Sequence, residues 1–111
     1  MKIVSVAIDP IRADTSVAEF VVRVGLDGPA TGCDVRGRVV GPRCEGISTV
    51  EVAYPLTLVR VSEATVRLKC VIPEPNLWTQ TAPFTYATSV EVWVSGERTD
   101  TRVGVVALRG G

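Results

Sequence analysis

Histidine is absent from these 111 residues, which removes the Ser-His-Asp and Cys-His arrangements of nucleophilic catalysis together with the commonest metal ligand. Cysteine is scarce and odd in number. Cys33, Cys44 and Cys70 have ten and twenty-five residues between them and form no Cys-x-x-Cys pair. A structural zinc site is therefore not expected, and neither is any other metal or cofactor. An odd set leaves at least one thiol unpaired within the chain. A Cys33–Cys44 bridge across a loop is one reading. Free, half-buried thiols packing as small hydrophobes are the expectation, because no secretory leader points to an oxidising compartment.

Net charge is missing as well: twelve acids cancel twelve bases, and the bases are spread along the chain without clustering. Gripping phosphates takes a basic patch or stripe, so a nucleic-acid partner is not expected. Lysine is nearly absent, with Lys2 and Lys69 against ten arginines, a bias that reflects genome composition more often than bidentate chemistry. No apolar run approaches the roughly 20 residues of a membrane span, so no membrane partner is expected. The opening Met1-Lys2-Ile3-Val4 has no apolar leader region, which places the chain in the cytoplasm if Met1 is the natural start and otherwise leaves its location open. Gly25, Gly28 and Gly32 precede a strand rather than a helix, so they make no phosphate loop. Glu19, Glu51, Glu63, Glu74 and Glu91 lie on strands or turns among polar neighbours and read as solvated surface rather than a glycosidase-like carboxylate pair. No catalytic residue is expected.

No window of a dozen residues fits a helix either; what the chain has instead is alternation. Residues 2 to 8 form a first strand, with Val4, Val6 and Ile8 on one face and Ile3, Ser5 and Ala7 on the other, ended by Asp9-Pro10. Ala18, Phe20, Val22, Val24 and Leu26 alternate with Glu19, Val21 and Arg23 in a second, central strand. A Gly- and Pro-containing loop covers 27–32, after which Cys33, Val35, Gly37 and Val39 face one way. A second loop spans 41–46, and a weaker strand runs from Ile47 to Ala53. Pro55 interrupts, Leu56 to Val61 alternates briefly, and Val66, Leu68, Cys70 and Ile72 share a face. The last strand carries Thr101, Val103, Val105 and Ala107.

Between those last two groups lies the stretch that organises the chain. Pro73, Pro75 and Pro83 fix φ and withhold backbone donors, so residues 73 to 83 are neither helix nor interior strand and must cross between layers. Leu77 and Trp78 are the apolar weight on that crossing, with Trp78 expected to plug one end of the core. Tyr86 sits where the chain becomes a strand again, a position from which a hydroxyl can anchor a sandwich corner through a hydrogen bond to backbone. From there Val90, Val92 and Val94 alternate with Glu91, Trp93 and Ser95. Seven to eight short strands with turn signals at this spacing describe an all-β, antiparallel two-sheet sandwich, with a small closed barrel as the alternative. One domain covers residues 1–109, and Gly110-Gly111 reads as a linker stub.

Ile72-Pro73 through Leu77-Trp78, then Pro83-Phe84-Thr85-Tyr86 and a Val-rich strand, then Thr101-Arg102-Val103-Gly104-Val105, resembles the immunoglobulin-like sandwich domain of glycoside hydrolase family 2, which includes β-galactosidases, β-glucuronidases and β-mannosidases. The likeness is good over the C-terminal forty residues and rests on strand spacing elsewhere. The sequence departs at Thr79-Gln80, where the family has Ser-Pro, at Thr85 and Thr88, where apolar residues are usual, and at Val106, where the family has Arg. The family's catalytic glutamates belong to its barrel, and no residue of this chain matches them. The resemblance implies a non-catalytic spacer or accessory domain that positions neighbouring domains of a parent glycosidase, or another protein chain. The alternative is a self-standing carbohydrate- or protein-binding module, with Trp93 as the candidate sugar or partner contact because it stands opposite the valine face beside Glu91 and Ser95.

Overall fold

Ala18, Phe20, Val22 and Val24, one face of the second strand, are wholly withdrawn from solvent, and the molecule is built around them. The computed structural model describes residues 1–110. It contains β1 (Ile3–Ala13), β2 (Val17–Leu26), β3 (Asp34–Arg43), β4 (Val52–Pro55), β5 (Thr57–Ser62), β6 (Thr65–Pro73), β7 (Thr85–Val94) and β8 (Glu97–Val106), plus a single 3-10 turn at Ala30–Gly32. The strands form two antiparallel four-stranded sheets, in the orders β1-β2-β6-β5 and β4-β3-β7-β8. The 73–83 crossing does carry the chain from the first sheet to the second. Phe20, Leu68 and Ile72 from one inner face meet Val39, Tyr86, Val90 and Val92 from the other, so the two alternations make one core. Among the described residues no helix is long and apolar enough to cross a membrane.

Four expectations need correction. β1 does not stop at Asp9-Pro10 but continues to Ala13. Pro10 pairs with Phe20 on an edge strand, where its missing donor breaks no ladder on the solvent side. Val4 does not share a face with Val6 and Ile8. A register shift between Ile3 and Ser5 turns Ile3 into the core and leaves Val4 59% exposed. The expected loop at Gly41 is strand: β3 runs to Arg43, with the irregularity absorbed by a register shift between Val40 and Arg43. The weak strand at 47–53 is instead the short β4, Val52–Pro55, because only Val52 to Pro55 reach β3 for pairing.

The last strand starts earlier than its apolar residues suggest, at Glu97, and its Val103 and Val105 point outward at 76% and 69% exposure. Val106 and Leu108 take the inward positions. Arg102, on the same side as Val106, donates to the Ile3 carbonyl at 2.8 Å, and Asp100 accepts from the Ile3 amide at 2.8 Å, so β8 is tied across to the start of β1. The three cysteines are free, and burial pushes the Cys70 thiol up to about 12.

Asp14 organises the β1–β2 turn. Its carboxylate accepts from the Arg12 guanidinium at 2.7 Å and from the amides of Val17 and Ser16, which together lower its pKa to about 2. Asp100 is lowered by the amides of Ile3 and Thr101. Both folded-state values lie below the ordinary carboxylate value, so their stabilisation is present above about pH 4 and lost as pH falls below it, for Asp14 toward 2. Urea midpoints should therefore stay level from pH 7 to 5 and fall between pH 4 and 2. The fall should be shallower in the Asp14→Asn/Asp100→Asn double variant; equal acid sensitivity in the two proteins would show that other carboxylates carry it.

Candidate functional site

The crossing and the start of β7 make a built corner. Pro73 closes β6, and Glu74, at φ 47°, bends the chain away while its amide donates to Ser16 O at 2.9 Å. Leu77 packs against the core, and Trp78 bridges to Pro83 across a tight turn in which Thr79 N donates to Ala82 O at 3.1 Å. Tyr86 is 1% exposed, and its hydroxyl oxygen accepts from the Asn76 amide at 3.0 Å. That is a hydroxyl-to-backbone anchor at the start of the sixth immunoglobulin-type strand. The same burial raises the Tyr86 pKa, which keeps the phenol neutral.

The corner also grips the segment after β8. Trp78 N donates to Leu108 O at 2.8 Å, and the Arg109 guanidinium lies 3.8 Å from the centroid of the Trp78 ring. Trp78 is half-buried, less a plug than a platform under the departing chain. Pro73, Leu77, Trp78, Pro83 and Tyr86 lie together at one end of the sandwich, and of these Trp78 is the one that contacts Leu108 and Arg109. Sequence reading missed Arg109, because nothing local links it to a tryptophan thirty-one residues earlier. Gly110 lies beside Leu77, while Gly111, the rest of the expected stub, lies outside the described residues.

Trp93 is not part of this corner. It stands at the far end of β7, seven residues from Tyr86 and so about 24 Å away along the strand. Its partner across the sheet is Asp34, and Arg36 covers its ring with the guanidinium 4.7 Å from the centroid. Arg36 also pairs with Asp34 at 2.7 Å, and Arg98 with Glu91 at 3.0 Å. A shallow depression of about 330 Å³ lies on the same sheet, lined by Arg36, Arg38, Ser89, Glu91, Arg98 and Thr101 but not by the ring itself. The indole nitrogen is buried without a partner. A sugar stacking on the covered ring face must first displace Arg36. Among the described residues no group of three His, Cys, Asp or Glu side chains is placed to hold a metal ion.

Sheet orders β1-β2-β6-β5 and β4-β3-β7-β8, with the tyrosine anchor at the start of β7, define an immunoglobulin-like sandwich in which the fourth sheet-two strand, β4, extends the seven-strand constant-type pattern. A solved structure of Bifidobacterium dentium beta-glucuronidase complexed with coumarin-3-O-glucuronide contains a segment of this fold. The match has a TM-score of 0.64 at 20% identity and covers 96% of this chain. This chain spans 17% of the length of that glucuronidase chain. No family model and no curated protein sequence matches. The likeness in fold accords with the sandwich expected from the resemblance to glycoside hydrolase family 2.

Proposed function

We propose that this chain is a non-catalytic accessory domain whose task is to hold neighbouring domains of a larger polypeptide, or a neighbouring subunit, in register. One observation carries the reading: nearly the whole chain matches a minor segment of a glycosidase, whose remaining length lies outside the match. The corner supports it, since Trp78, Leu108 and Arg109 hold the chain after β8 in a fixed direction, as a spacer requires. The mass of the native polypeptide in its source cells tests it. A product several times 11.8 kDa is expected, and a product of 11.8 kDa would overturn the role of spacer between domains of one polypeptide.

A second reading, a self-standing carbohydrate- or protein-binding module, is favoured by Trp93 and by the polar depression that shares Arg36 with it. Its test is tryptophan fluorescence during titration with glucuronic acid and with glucose. Under the spacer reading neither sugar changes the emission. A saturable change with either sugar that disappears in Trp93→Ala would favour the binding module.

A further inference from the structure

Three arginines stand side by side on the outer face of the first sheet. Arg23 on β2 is directly opposite Arg67 on β6, and Arg67 is directly opposite Arg60 on β5. Adjacent strands lie about 4.8 Å apart, so the row is about 10 Å long. Like charges placed opposite each other destabilise a sheet. Arg23 is neutralised at the β1 end by Asp9, at 3.1 and 3.3 Å. Among the described residues Arg60 and Arg67 form no ion pair, whereas Arg12, Arg36, Arg43 and Arg98 each have one. Ser62 and Thr65 add hydroxyl donors to the same depression, which measures about 280 Å³.

The same two strands carry an apolar strip further along. Val71 lies four residues beyond Arg67, about 13 Å at the strand rise, and is 45% exposed. With Pro55, Thr57, Val59 and the Lys69 stem it lines a shallow groove of about 340 Å³. Val59, 56% exposed, is the residue left out of register between Leu58 and Arg60. That bulge and the Arg60 charge blunt the β5 edge against strand addition. What remains available is the face. On this face Asp9 and Glu19 are taken up by Arg23 and Lys69, which leaves Arg60 and Arg67 as its cations without an ion pair among the described residues, so the β5–β6 half favours an anionic partner.

We propose that the outer face of β5 and β6 is a docking surface for a polypeptide segment with clustered carboxylates followed by apolar side chains, the carboxylates on Arg60 and Arg67 and the apolar residues on Val59 and Val71. An inorganic anion would use the arginines and leave the valines idle. The open, flat surface and the valines alongside favour a peptide over a small oxyanion. This surface deepens the positioning role proposed above by giving the partner's chemistry. A native mass of 11.8 kDa would leave the peptide surface standing, and a failed titration would leave the positioning role standing.

The test is an amide chemical-shift titration of the whole 111-residue protein at 150 mM NaCl. The probes are a capped peptide of three glutamates, a glycine and two leucines, its glutamine counterpart, and inorganic pyrophosphate. The acidic peptide should shift residues 57–71 and Arg23. The glutamine peptide and pyrophosphate should each bind at least tenfold more weakly. Arg60→Gln/Arg67→Gln should weaken the acidic peptide at least tenfold while leaving the melting temperature of the free protein unchanged or raised, since it removes repulsion. Shifts spread equally over Arg38, Arg102 and Arg109, pyrophosphate binding as tightly as the peptide, unchanged affinity in the double variant, or a lowered melting temperature would each overturn the proposal.

Discussion

Phe20→Ala is expected to lower the urea midpoint by about 2 to 3 M, the consequence of losing about 3 to 5 kcal/mol with a slope of roughly 1.5 kcal/mol per M. Phe20 is fully buried at the centre of β2, between Pro10 on β1 and Cys70 on β6, and is one of the largest side chains in the core. Truncation removes its transfer free energy and leaves a cavity that the two sheets can close only by moving together. A domain of ordinary stability has about 5 to 15 kcal/mol in total, so this variant approaches the unfolding threshold at 37 °C. Val103→Thr is the companion measurement. Val103 is 76% exposed despite lying in an apolar alternation, and its replacement should change stability by less than about 0.5 kcal/mol. Equal losses in the two variants would refute the facing of β2 and β8 described above.

The second large effect is expected at Tyr86, where two substitutions separate ring from hydroxyl. Tyr86→Ala should cost about 3 to 5 kcal/mol. Its ring fills the space beside Gly41, where an added Cβ would come within 2.7 Å of Cδ2, and meets Tyr54 edge-on with centroids 6.5 Å apart. Tyr86→Phe keeps the packing and removes only the acceptor for the Asn76 amide, so about 1 kcal/mol is expected. Hydrogen exchange at the Asn76 amide should rise in Tyr86→Phe while that of the β2 amides stays slow. A phenylalanine variant as damaged as the alanine variant would mean that the hydroxyl anchors far more than this one amide.

The anchor also links stability to the proposed role. Asn76, Leu77 and Trp78 follow one another on the crossing, and Trp78 holds Leu108 and Arg109. Removing the hydroxyl alone is therefore expected to loosen Asn76 to Trp78, and with them the exit from β8, while the ring keeps the sheets packed. A spacer fails in this way: it remains folded while the direction in which it passes on the chain becomes variable.

The strands, their inward faces and the crossing were legible because each rests on local chemistry. Alternation at Phe20, Val22 and Val24 or at Leu68, Cys70 and Ile72 is a period-two signal carried within ten residues, and three prolines closely spaced withhold the backbone donors that would carry a strand through 73–83. Val4, Pro10 and Val103 were misread or unassigned because bulges and edge positions depend on the neighbouring strand, which the local pattern does not contain. The half-buried state of Trp93 was likewise set from outside β7, by Arg36 on β3.

By itself, then, the sequence determined an all-β chain of seven to eight short strands, a proline-bound crossing followed by a tyrosine, and the lack of histidine for triad chemistry, since these follow from residue type and short-range spacing. Only the tertiary structure decided which aromatics are covered by Arg36 and Arg109 and that Arg23, Arg67 and Arg60 stand in one row. Those relations join residues far apart in the chain, and cross-strand register, a property of two folded segments together, is what creates them.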